Sequence, residues 1–387
     1  ERISVCNLRC EYLEDPVAVE NEKPLLSWQL QSSGQAKSQT AYRILVASSP
    51  SLLAEGKADF WDYGQITSSS SSQVGYEGKP LDSRQTLYWK AMVWDEAGEA
   101  SPWSETGRWT MGLLEPSDWT ARWIGNREDA YPDSTLTTPA PYFRKTFRIN
   151  KPVKQAKAYI CGLGFYEMYL NGERVGDQVL APAVNNFDRR PLKKMLYFFD
   201  DQSNQRVLYN TFDVTSLVQK AENTVGVLLG NGWYNQRDRT VEGCMWYDTP
   251  RLLCQLEIEY TDGSTELVVT DDSWKTTTGP LLHDAIFTGE EYDARLELDG
   301  WNRNGYKDSS WKKALLVRAP KGSLHAQLAP HEKIIRILQP VSCEQKDDST
   351  YWYAFPEMIS GWAHIKVQGN AGDRIKLRFV GEEKNDF

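Results

Sequence analysis

Two short stretches hold residue types from which a site could be built. "FTGEEYDAR" (287–295) groups Glu290, Glu291 and Asp293, and paired carboxylates acting as acid and base are the machinery of glycoside hydrolysis. Such a pair must face across a substrate. Residues i and i+1 on a strand point to opposite faces, so Glu290 and Glu291 are not that pair. This reading assigns no catalytic residue, gives Asp293 and Arg295 the task of tying a loop to a sheet, and keeps Glu290 as a binding candidate near a sandwich edge. In "GLGFYEMYLNGERVGDQVLAP" (162–182), Asn171-Gly172 lies between β-type runs, the strongest short-range hairpin signal. Yet Asn171, Glu173 and Asp177 supply more polar groups than a hairpin needs, so the stretch is either a structural corner or the lip of a site.

Aromatic usage adds a second kind of chemistry, with 15 Trp and 19 Tyr against 4 His. An indole N–H wants a partner when buried, which makes Trp a demanding core residue; its π face also suits the axial C–H bonds of a pyranose ring. The histidines (His283, His325, His331, His364) lack metal-ligand spacing, and no C-x2-C pair occurs among the six cysteines. Cys6 and Cys10, four apart on a strand-like run, would lie about 13 Å apart, beyond disulfide reach. Cys244 and Cys254 flank a loop and strand and are the expected pair if one forms.

The elements that position these residues are strands. The chain has 387 residues, 40% of them hydrophobic and 25% charged, which predicts a globular protein of two or three domains. A net charge of −9 without any Lys/Arg run argues against a nucleic-acid partner, and no apolar run approaches the roughly 20 residues that insert into a bilayer. Alternating runs such as "AYRILVAS", "YWKAMVWD", "QLEIEY" and "TELVVT" recur between turn clusters, the pattern of an all-β protein. Helical signals reduce to one short turn in "SSPSLLAEGK" (48–57). Three units are expected. Residues 1–113 end in "LYWKAMVWDEAGEASPWSETGRWTMG", which resembles the closing hairpin of a fibronectin type III domain. Residues 114–325 form a larger sandwich, with a second hairpin at Asp262-Gly263 and a surface loop at 193–210. Residues 326–387 begin a further β-domain, incomplete here, whose "GWAHIKVQGNAGDRIKLRFVGEE" (361–383) reads as a meander.

In this order the motifs "PLLSWQL", "DWTARWIG", "GLGFYEMYLNGERVGD", "DVTSLV", "GVLLGNGWY", "DDSWK", "FTGEEYDAR" and "GWAHIKVQGNAGDRIKLRF" resemble the N-terminal part of bacterial family 78 α-L-rhamnosidases across nearly the whole chain. The resemblance implies a fibronectin-like domain, a jelly-roll β-sandwich and a further β-domain. It also implies a downstream (α/α)6 barrel that hydrolyses terminal rhamnose from a rhamnose-containing glycan with inversion. That barrel and its Asp-Cys-Pro-Gln-Arg signature are absent from these residues. The resemblance further implies a periplasmic or extracellular protein whose signal peptide has been removed, since Glu1 opens the chain without Met. In binding members of the family a calcium ion bridges jelly roll and sugar, and Asn171 and Asn231 match the positions that present polar loop groups. The implied metal ligands are Asn171, Asp177 and Asn231. The implied sugar contacts are Asn171, Asn231, Trp233 and Tyr234, with Gly172 and Gly232 admitting close backbone approach. "APAVNNFDRR" replaces the family's Pro-Gly-Trp-Thr, leaving Asn185 and Asn186 as polar contacts there. If Asn171 and Asn231 converge at one rim, replacing Asn171 by Ala should remove the coupling between calcium and rhamnose binding and spare the fold. The alternatives are a free-standing carbohydrate-binding protein and a scaffold without ligand.

Overall fold

The computed structural model describes residues 3–33, 38–127, 139–188, 204–236, 245–370 and 372–379. Alternation in the sequence becomes alternation in burial. Along Thr86–Asp95, Leu87, Trp89, Ala91, Val93 and Asp95 are buried and the intervening residues only partly so. That strand lies between Gln39–Ala47 and Gly107–Thr110 in one sheet, and Leu25–Gln31 lies between Ser4–Cys10 and Val74–Gly75 in the other. Trp28, Trp61, Trp89 and Trp109 fill the core between them. The Trp28 indole N–H donates to Gln39 Oε1 at 3.0 Å. These tryptophans are therefore interior residues of an immunoglobulin-like sandwich rather than sugar platforms.

The second sandwich pairs two larger sheets. Among the described residues, one runs Leu315–Leu316, Ile124–Gly125, Arg251–Tyr260, Val153–Leu163, Arg206–Asp213, Ser323–Ala326, with Thr265–Val269 also on Arg251–Tyr260. The other runs Glu173–Arg174, Tyr166–Leu170, Ala221–Leu229, Pro141–Ile149, Lys275–Thr278, Lys312–Lys313. Residues of both sheets, among them Phe143, Met168, Val227, Leu256 and Trp274, form one apolar core. The Asp262-Gly263 turn closes as expected, with Gly263 at φ +81°.

The two sandwiches meet through partly buried polar clamps. Arg84, preceding Thr86–Asp95, donates from Nη1 to Asp118 at 2.6 Å, and from Nε and Nη2 to Glu257 at 2.6 and 2.7 Å. Glu257 belongs to Arg251–Tyr260, so one guanidinium joins the first domain, the connecting segment and the central sheet. Glu20 supplies a second clamp: Tyr209 Oη and Ala326 N each donate to its Oε1 at 2.9 Å.

Several expectations change. Residues 193–203 lie outside the described residues. The remainder of the predicted loop at 193–210 belongs to Arg206–Asp213, where Val207 and Tyr209 are buried, because this strand is needed beside Val153–Leu163. The helical turn at 48–57 is a single 3-10 turn, Pro50–Leu52. The expected boundary at 325 moves to Glu332/Lys333, since Ser323–Ala326 pairs with Arg206–Asp213 inside the sandwich. The unit Lys333–Phe387 contains the hairpin Ser342–Gln345 with Tyr351–Ala354. The meander expected at 361–383 has no strand among its described residues, and Trp362, Val367, Ile375 and Phe379 are exposed. Cys6, Cys10, Cys161, Cys254 and Cys343 are free thiols, and Cys244 lies outside the described residues.

Arg84→Ala should destabilise the protein by roughly 2–3 kcal/mol in urea unfolding, because it leaves two shielded carboxylates unpaired. Burial alone would raise the Asp118 carboxyl, but the Ser83 hydroxyl, the Arg84 guanidinium and the Glu115 N–H outweigh it and hold it below the usual range. A depressed carboxylate contributes stability above its unfolded pKa, about 4, and loses it as pH falls through the folded value. Limited proteolysis near residues 113–120 should therefore accelerate below about pH 4 in wild type, and Arg84→Ala should show that acceleration already at neutral pH.

Candidate functional site

The Asn171 hairpin forms as the sequence requires. Asn171 and Gly172 sit at φ +54° and +87° between Tyr166–Leu170 and Glu173–Arg174, the geometry of a tight β-turn with both central residues left-handed. A Cβ at Gly172 would stand 2.8 Å from Arg303 Cγ, so this position also excludes side chains by crowding. The Asn171 amide is fully engaged inward. Its Nδ2 donates to Leu217 O at 2.9 Å and Asn223 Oδ1 at 2.8 Å, and its Oδ1 accepts from Thr224 N at 2.9 Å. Asn223, completely buried, in turn accepts from Gln219 N and donates to Gln219 O and Ala221 O. Asn171 is a structural corner.

Asn231 stands at the opposite end of the same strand pair. Tyr166–Leu170 runs antiparallel to Ala221–Leu229, with Leu170 opposite Val225 and Tyr166 opposite Leu229. Asn171 therefore bonds at Thr224 while Asn231 follows the far end, a separation of roughly 15–20 Å at the rise of a strand. Two ligands of one calcium ion lie within roughly 5 Å of each other, given oxygen distances near 2.4 Å. Asn171, Asp177 and Asn231 therefore do not fit a single ion site, which corrects the expected convergence. Among the described residues no grouping of three or more His, Cys, Asp or Glu suits a metal either.

What gathers at the Asn231 end is different. Asn231 is buried, and its backbone N–H donates to Asp284 Oδ2 at 2.7 Å while its Nδ2 donates to Asp284 Oδ1 at 2.9 Å and Asp284 O at 3.0 Å. Its own Oδ1 accepts from Asn235 Nδ2 at 2.8 Å. Asp284 lies on Leu281–Ala285, which forms a separate hairpin with Gly289–Tyr292 and places Glu290 directly opposite Asp284. Glu290 is exposed. At the hairpin tip Phe287, 42% exposed, meets the partly buried Trp233 edge-on at 5.8 Å. Burial raises the Asp284 carboxyl above its ordinary value; the Asn231 N–H opposes this and the facing Glu290 charge adds to it.

The structure thus brings Asn231, Trp233 and Glu290 together and separates Asn171 from them. Tyr234 does not line the rim: it is fully buried, stacked on Tyr247 at 5.4 Å and edge-on to Phe187 at 5.8 Å. Gly232 admits close approach, but of Phe165, whose N would lie 2.6 Å from a Cβ there. Asn185 is partly buried two residues before Phe187, and its Oδ1 accepts from Asn186 N at 2.8 Å. Asp293 and Arg295 bond to each other around the 3-10 turn Ala294–Leu296, with Arg295 88% exposed, so their pair is local and ties no loop to a sheet. Asp284 and Phe287 escaped the sequence reading. Symmetry about the turn at 286–288 was the available signal, since it sets residue 284 against 290.

Asn171→Ala should lower stability by about 2 kcal/mol in chemical unfolding, because it orphans Thr224 N–H and bonding groups around buried Asn223. An unchanged unfolding midpoint would contradict the structural role assigned to this corner.

Comparison with known proteins follows this architecture. The α-L-rhamnosidase N-terminal domain model matches residues 151–198 and 199–336, and the Rha78A-like N-terminal immunoglobulin domain model matches 5–115. An α-L-rhamnosidase of Formosa agariphila is 36% identical over 385 residues, covering 94% of this chain and 39% of that protein. One from Alteromonas sp. is 33% identical, covering 96% and 40%. The structure of the Dictyoglumus thermophilum α-L-rhamnosidase superposes with a TM-score of 0.78 at 35% identity, covering 90% of this chain and 38% of that one. The chain thus spans about two fifths of the length of the relatives it matches. By domain content, domain order and similarity along its length, it belongs to the α-L-rhamnosidase family as an N-terminal β-domain region.

Proposed function

We propose that this chain supports and helps to address an α-L-rhamnosidase whose catalysis resides elsewhere in the protein. The parent protein then removes terminal α-L-rhamnose from a glycan, using an (α/α)6 barrel beyond these domains, and the β-region supplies a rigid mount and a sugar-contacting rim. The observation that carries this reading is the match of both β-domain models, in order, to α-L-rhamnosidase N-terminal regions. Within the described residues the carboxylates with a glycosidase look, Glu290 and Glu291, are neighbours on one strand and do not oppose each other. The rim at Asn231 has the composition of a sugar site: an accessible aromatic pair, Trp233 and Phe287, beside a carboxylate held in place by amide hydrogen bonds.

Two measurements test this. The purified chain should show no turnover of 4-nitrophenyl α-L-rhamnopyranoside; hydrolysis abolished by a point substitution within residues 1–387 would overturn the non-catalytic assignment. Titration with L-rhamnose should perturb tryptophan fluorescence in wild type, and Trp233→Phe, which keeps a ring at this position, should bind more weakly while remaining folded. Absence of any sugar-dependent change would leave the mount and remove the rim.

A further inference from the structure

Deepening the reading of the Asn231 rim as a sugar site, we infer that this rim holds its sugar through direct hydrogen bonds to the Asp284 carboxylate, with the ring on Trp233 and Phe287 and no bridging cation. The residues expected to hold a bridging ion are not assembled. Asn171 lies roughly 15–20 Å from Asn231 by the rise of the intervening strand, and its amide is engaged with Leu217, Asn223 and Thr224. The Asn231 amide oxygen accepts from Asn235.

Asp284 offers what a sugar hydroxyl pair needs. Each carboxylate oxygen takes one hydrogen bond from Asn231, from N at Oδ2 and from Nδ2 at Oδ1. A carboxylate has about four lone-pair sites, so each oxygen keeps capacity for one donor, and adjacent hydroxyls on a sugar can donate to the two together. Asn231 fixes the plane of the carboxylate beforehand, which spares the entropy of ordering it on binding. Ile286 N donates to Gln236 Oε1 at 3.2 Å and anchors the hairpin at its tip, where Phe287 meets Trp233. The carboxylate and Phe287 thus sit on one hairpin, against the loop Asn231–Gln236 that carries Trp233. Hydrogen bonds to a charged acceptor are the stronger class, and losing one weakens binding by about tenfold or more.

The experiment is titration of the intact chain with methyl α-L-rhamnopyranoside, once in chelator and once in excess calcium chloride, read by calorimetry and by the amide resonance of Asn231. The expected result is the same affinity within about twofold in both buffers, with the Asn231 resonance moving in both, and about tenfold weaker binding by a folded Asp284→Asn. The Asn231 resonance of wild type keeps the test independent of how well the variant folds. Binding that requires calcium overturns the inference and leaves the sugar-binding reading intact. So does chelator-resistant binding that leaves the Asn231 resonance unmoved. Absence of binding in either buffer overturns both.

Discussion

The antiparallel register of Tyr166–Leu170 against Ala221–Leu229 is the constraint on which the candidate site depends. Side chains alternate across a strand, so a slip of one residue would turn apolar side chains such as Met168, Val225 and Val227 out of the core and bring their polar neighbours in. These three are fully buried, and the register is fixed accordingly. Once it is fixed, the two asparagines flanking this strand pair have no freedom to meet. Asn171 becomes the lock of one end, and Asn231 the lock of the other.

The two locks illustrate how a sandwich disposes of polar backbone at its rims. At one end an amide side chain mimics a strand residue by bonding both to a neighbouring backbone N–H and to a carbonyl. At the other, a carboxylate receives a backbone and a side-chain N–H from a single asparagine and thereby pins a two-stranded hairpin that no larger sheet supports. An isolated hairpin of this size is marginal in water. Here the polar pin and the Trp233–Phe287 contact supply what the missing sheet does not. A hairpin pinned near its tip in this way is fixed against the loop Asn231–Gln236, as a loop carried on a rigid scaffold requires.

Between the two sandwiches the solution is also polar. Arg84 and Glu20 each collect groups from both domains, so the connection behaves as part of the fold rather than as a linker. Bidentate guanidinium contacts fix direction as well as distance, so Arg84 constrains the angle between the two sandwiches.

The sequence by itself determined the strand content, the Asn171-Gly172 and Asp262-Gly263 turns, the alternating core of Thr86–Asp95 and the family. Each depends on a local period or on a residue with restricted φ, and such signals are complete within a few neighbouring positions. Tertiary structure decided the rest. Whether Tyr234 was a wall or a core residue depended on Phe187 and Tyr247, which come from two other stretches of chain. Whether 206–210 was loop or strand depended on an open edge along Val153–Leu163. The alternation at 361–379 shows the converse, since its described residues form no strand and Trp362, Val367, Ile375 and Phe379 stay exposed. Asn171 and Asn231 look alike in sequence, each an Asn-Gly beside aromatic residues. Only the pairing of strands 50 residues apart places them at opposite ends of a sandwich, because register is a property of two segments and is written in neither one alone.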